Sequence, residues 1–147
     1  MNDSKLFKVG SILILLVNVV LMIFGLTYAI YGKLMPYHLA FIGLTPEQIA
    51  ALSPNLLSLS NLSIILIGFL FLSSGATTTL IWYKSFRKGE KWAWLAVLIS
   101  DGLVFIPLIG VIYIVAGFGF PFPIGCAGLV LWIIGLGFTA KDVLKPK

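Results

Sequence analysis

Nine of the ten basic residues in this chain stand in three short segments at the ends of long apolar runs, and Lys33 alone stands elsewhere. Lys5 and Lys8 precede the first run, while Lys84, Arg87, Lys88 and Lys91 separate the second from the third. Lys141, Lys145 and Lys147 follow the fourth. If each run crosses a bilayer once, all three segments fall on the same face. Lys and Arg concentrate on the cytoplasmic face of membrane proteins, so the pattern predicts four spans with both ends inside. The runs lie at about 9–31, 56–83, 92–116 and 124–140. At about 1.5 Å per residue each can cross a hydrocarbon core of about 30 Å, the last once Phe120 and Phe122 extend it. The expected fold is therefore all-α and integral to the membrane: a four-helix transmembrane bundle forming one domain over residues 1–147, with a short helix in the outer loop 32–55.

Composition agrees with that reading and removes several function classes. The chain is 60% hydrophobic and 10% charged with a mean hydropathy of +1.10, whereas soluble domains are about 25% charged. The net charge of +5 sits at span ends rather than along a polar face, which fits anionic lipid headgroups and not nucleic acid. Membrane lipids are the expected partners, and a membrane protein partner or a homo-oligomer is left open. Cys126 is the one cysteine and His38 the one histidine, so neither an intrachain disulfide nor a bis-histidine haem can form within one chain. No cofactor or metal is required by the sequence. The basic start of the first run resembles a signal peptide, but its length exceeds an h-region of about 7–15 residues and no A-x-A site follows, so a retained anchor is expected.

The outer loop carries its own local code. Thr45-Pro46-Glu47-Gln48 puts Thr at a helix N-cap, Pro at the first helical position and Gln where it completes a capping box. A helix is predicted over Pro46 to Leu52, ending before Ser53-Pro54 because the residue preceding proline is pushed from helical geometry. Trp82, Tyr83, Trp92 and Trp94 are expected at one membrane interface and Tyr28, Tyr31 and Tyr37 at the other. Glycines recur seven apart at 25/32, 68/75, 110/117 and 128/135, which favours close helix approach, without any GxxxG motif.

Two groups of residues invite chemistry. Asp101 lies about ten residues into the third span, where an aspartate costs about 2.5–3.5 kcal/mol on the insertion scale. Fourteen Leu, Ile, Val and Phe residues in that span offset it, but a carboxyl at this depth still needs a partner. Asn18 lies at similar depth in the first span and Ser73, Ser74 and Thr77 in the second, so an intramembrane polar cluster of these residues is expected. It reads either as a proton or cation site or as a staple that fixes helix register. The second group lies outside: Tyr37, His38, Glu47 and Asn61. His38 and Glu47 would form an acid/base pair if the loop folded back, yet two ligands are too few to define a metal site.

Met35-Pro-Tyr-His38, Ile42-Gly-Leu-Thr-Pro46 and Phe86-Arg-Lys-Gly-Glu-Lys-Trp-Ala-Trp94 together resemble small prokaryotic tetraspan membrane proteins of unknown function that are distantly DoxX-like. That resemblance implies a prokaryotic cytoplasmic membrane and an accessory role in membrane redox chemistry, and it transfers no catalytic residue. Three functional expectations follow. The first is an accessory or lipid/quinone-binding component of a membrane assembly. The alternatives are a small proton-coupled carrier using Asp101, or a membrane enzyme using His38 and Glu47.

Overall fold

Four helices long and apolar enough to cross a membrane dominate the computed structural model, which describes residues 4–145. Lys147, one of the charges read above, lies outside them. The spanning helices are α1 (Lys5–Tyr31), α4 (Pro54–Lys84), α5 (Lys91–Ala116) and α6 (Pro121–Val143). Two short helices, α2 (Pro36–Ile42) and α3 (Pro46–Leu52), fill the connection between the first and second spans. No strand occurs among the described residues. The four-helix transmembrane bundle thus has the architecture expected from the charge pattern, with two short connecting helices where one was predicted.

Local sequence explains the helix ends. Ser4 Oγ accepts from the Phe7 N–H at 3.0 Å to start α1, four residues before the apolar run begins. Gly32 ends it in left-handed geometry at φ +61°, where a side chain would be strained. Thr45 Oγ1 accepts from Gln48 N and Gln48 Oε1 accepts from Thr45 N, the predicted capping box, and α3 runs as anticipated. The helix that sequence reading omitted, α2, has the same kind of signal. Pro36 occupies its first turn, Gly43 closes it at φ +75°, and His38 Nδ1 accepts from the Met35 N–H at 3.0 Å. A histidine thus occupies the place that Gln fills in α3.

Around the bundle, α1 packs against α4 and α6, and α5 packs against the same two, which leaves α1 and α5 on a diagonal. Backbones approach closely at two glycine contacts. A Cβ on Gly25 would lie 2.6 Å from Leu72 N and 2.7 Å from Gly68 O, and one on Gly10 would lie 2.7 Å from Gly135 O. The first contact joins α1 to α4 toward the α2–α3 lid; the second joins α1 to α6 toward the basic end. Small residues are the usual means of tight packing in lipid, where no hydrophobic force drives helices together.

The core is concentrated at the basic end, around Phe7, Ile14, Phe86, Trp94, Val97 and Leu136. Here two tryptophans depart from the interfacial belt expected of them. Trp94 is buried and its indole N–H donates to Thr139 Oγ1 at 3.0 Å, while Trp82 donates to Ser11 O at 2.7 Å. Each indole finds a hydrogen-bond partner on a neighbouring helix, so it fills the bundle at no polar cost. Trp92 and Tyr83 do stand exposed, and the Arg87 guanidinium lies 4.1 Å from the Tyr83 ring centre.

Candidate functional site

The buried polar cluster joins three helices. Asp101, on α5 and fully buried, accepts from Asn18 Nδ2 of α1 at 3.0 Å through Oδ2. Its Oδ1 accepts from Thr78 Oγ1 of α4 at 3.0 Å, with Ser100 Oγ 3.5 Å away. Asn18 Nδ2 also donates to Ile14 O at 3.0 Å, which fixes the amide's orientation. Its Oδ1 is buried without a hydrogen-bond partner among the described residues. The diagonal pair α1 and α5 is therefore bridged through side chains at one level of the bundle.

The hydroxyl on α4 is not one that depth alone selects. Ser73 and Thr77 are exposed and Ser74 is half-buried, and none of the three reaches Asp101; Thr78 does. One residue along a helix turns the side chain by about 100°, enough to exchange the lipid face for the bundle interior. Ser100, beside Asp101 on its own helix, was likewise not anticipated.

The outer polar group does not converge on a single point. Tyr37 and Tyr28 hydroxyls hydrogen-bond to each other, and the His38 ring lies against both tyrosines at 4.3 and 6.3 Å between centres. Asn61 Oδ1 accepts from the Leu34 N–H at 3.2 Å and pins the chain leaving α1. Glu47 is exposed in the first turn of α3, its carboxyl held below the usual range by the Thr45 hydroxyl and its own backbone N–H. His38 spends Nδ1 on the α2 cap, and burial lowers its imidazole from the ordinary value. His38 thus caps α2 while Glu47 lies in the first turn of α3 beside the Thr45 cap, and no hydrogen bond joins the two. Among the described residues no three His, Cys, Asp or Glu side chains gather as a metal site would require.

Between these two polar groups lies a cavity of about 290 Å³. Its wall is formed by α1, α5 and α6, with Phe71 of α4 and Tyr37 of α2 completing it. Val17, Leu21 and Phe105 line its inner part; Val17 adjoins Asn18 in sequence, and Leu21 and Phe105 lie about one helical turn from Asn18 and Asp101, so the polar cluster sits behind an apolar floor. Tyr28 and Tyr37 stand at the opposite end. Burial raises the Tyr37 phenol above its ordinary value, with the Tyr28 hydrogen bond acting in the same direction, so it stays protonated. Two of the three tyrosines expected as outer interfacial anchors, Tyr28 and Tyr37, face a ligand-sized space instead, while Tyr31 stands exposed.

The cavity follows from how α1 is held. It is drawn to α6 at Gly10/Gly135 near the basic end and to α4 at Gly25/Gly68 nearer the lid, so α1 diverges from α6 along its length. Leu16 and Val20 of α1 and Ala127 of α6 line the cavity and are also exposed, which places its opening between these two helices, toward lipid. Sequence reading offered no signal for this space beyond the small residues Gly125, Ala127 and Gly128 on α6.

No protein-family model, curated protein or solved structure matches this chain.

Proposed function

We propose that this protein is a binding component of a prokaryotic cytoplasmic membrane that takes a hydrophobic small molecule from the bilayer into the cavity between α1, α5 and α6, with its basic end facing the cytoplasm. The observation that carries the reading is the cavity itself: about 290 Å³, close to the lower end of small-molecule pockets, apolar, and open sideways to lipid. Its only hydroxyl groups are the paired tyrosines at one end. Such a site suits an accessory protein that holds or presents a lipid-soluble molecule to a membrane partner.

Asp101 has the register-fixing role in this account. Each oxygen of its carboxyl group accepts a hydrogen bond from another helix, and Asp101 does not line the cavity. Native mass spectrometry of the protein extracted in mild detergent tests the binding role. A stoichiometric hydrophobic ligand surviving delipidation is expected; a chain carrying only detergent and exchangeable bulk lipid would count against it.

A further inference from the structure

The distribution of polarity along the cavity constrains what fits. Lining residues on α1 run from Leu16 to Tyr28, about 18 Å along the helix axis, so the space is long for its volume. No lining residue is charged. All side-chain oxygen in the wall belongs to Tyr28 and Tyr37, at one end, while Val17, Phe105 and Leu131 close the other. In the pair of phenols one O–H donates to the other oxygen, and the second O–H remains available, with acceptor lone pairs left over. His38, whose Nδ1 accepts from the Met35 N–H, carries its proton on Nε2 and stands against both rings as a further uncharged group.

We infer that the ligand is a single hydrocarbon chain ending in an uncharged oxygen, an alcohol or an ester carbonyl, seated with that oxygen at the Tyr28–Tyr37 pair and its chain running down to Phe105 and Leu131. This rests on the binding reading above and adds the ligand's class and orientation. A quinone ring fits less well, because its two carbonyls point in opposite directions and only one end of the wall offers a donor. An ionised headgroup finds no counter-charge in the wall and must stay outside. A free fatty or prenyl alcohol and one chain of a neutral ester lipid share the required chemistry.

The test uses the full-length protein in detergent micelles and hexadecanol carrying a diazirine at its chain terminus. Photolysis is expected to label Val17, Phe105 or Leu131, and unlabelled hexadecanol should compete about fivefold better than hexadecane, the fold-change of one hydrogen bond. Tyr28→Phe with Tyr37→Phe should erase that preference while labelling persists, which also shows that the variant is folded. Competition by dioleoylglycerol exceeding that of hexadecanol would support the same chemistry and identify ester lipid as its source; the reverse order would identify the free alcohol. Equal competition by hexadecane, stronger competition by decylbenzoquinone, or labels confined to Ile112 and Pro121 would overturn the class or orientation and leave the binding reading standing. Labelling of no wall residue would overturn both.

Discussion

Replacing Asp101 separates a hydrogen-bonding role from one that needs a charge. In Asp101→Asn the side chain keeps its shape. One oxygen can still accept from Asn18 Nδ2, and the new amide nitrogen can donate to Thr78 Oγ1, whose hydroxyl rotates to accept. Both interhelical bonds survive, so the stability change is expected within about 0.5 kcal/mol, less than one such bond in a membrane bundle. Asp101→Ala removes both. Interhelical hydrogen bonds in membranes average about 0.6 kcal/mol with a maximum near 1.7, so their loss gives about 1.2 kcal/mol and at most about 3.4. The groups left behind keep other partners, since Asn18 Nδ2 still meets Ile14 O and Thr78 Oγ1 lies 3.4 Å from Ser100 Oγ. No large penalty for orphaned donors is added. Reversible unfolding of the protein in mixed micelles, followed by tryptophan fluorescence, gives both values. A double-mutant cycle with Asn18→Ala should return a coupling of about 0.6 kcal/mol. If Asp101→Asn cost more than about 2 kcal/mol while Asp101→Ala cost no more, the carboxylate's charge would be needed and the register-fixing role would be wrong.

Three further outcomes follow from the geometry. Thr78→Val is expected to lose about 0.6 kcal/mol or somewhat more in the same unfolding assay, whereas Thr77→Val, one position along and exposed, should be silent; equal effects would contradict the assigned face. Gly25→Val should cost about 1–3 kcal/mol, because its Cβ would meet the Leu72 and Gly68 backbones, and Gly110→Val, with nothing within 4 Å, should show no such packing penalty. The lid should loosen in acid. Burial lowers the His38 pKa, so above about pH 6.5 the imidazole is neutral in both folded and unfolded chains; below that value the unfolded chain binds a proton the folded lid resists, and stability declines as pH falls. Protonation also occupies Nδ1 and ends the α2 cap. Hydrogen exchange at the Met35 amide should lose protection from pH 7.5 to 5, and His38→Ala should abolish that dependence.

Depth in the membrane was legible in the sequence, and direction around a helix was not. Apolar runs and basic segments place the four spans to within a few residues, and equal distances from the basic end bring Asn18 and Asp101 to one level. Facing is a different problem. In a soluble helix polar residues mark the outer side, but here lipid outside and bundle inside are both apolar, and exposed Leu66, Phe69 and Leu70 on α4 look no different from buried Ile64. Nothing in the spacing of Ser73, Ser74, Thr77 and Thr78 therefore tells which hydroxyl turns inward. The helix α2 is another matter: Pro36 and Gly43 mark its ends in the usual way, and it was missed because histidine is an unfamiliar residue for reciprocal capping. The cavity had no linear signal beyond the small residues Gly125, Ala127 and Gly128, since it lies where two glycine contacts hold α1 to different neighbours at different depths.

Filling the cavity without disturbing its walls tests the central claim most directly. A Cβ on Gly128 meets only Phe105 Cε1 at 3.7 Å, an ordinary contact, so Gly128→Leu extends into the space; Gly137, exposed with nothing within 4 Å, supplies a matched control on the same helix. Native mass spectra of the two variants and the parent protein, extracted from the same membrane, should show the hydrophobic ligand retained by the parent and by Gly137→Leu and absent from Gly128→Leu. Equal retention by all three would place the ligand elsewhere and contradict the account.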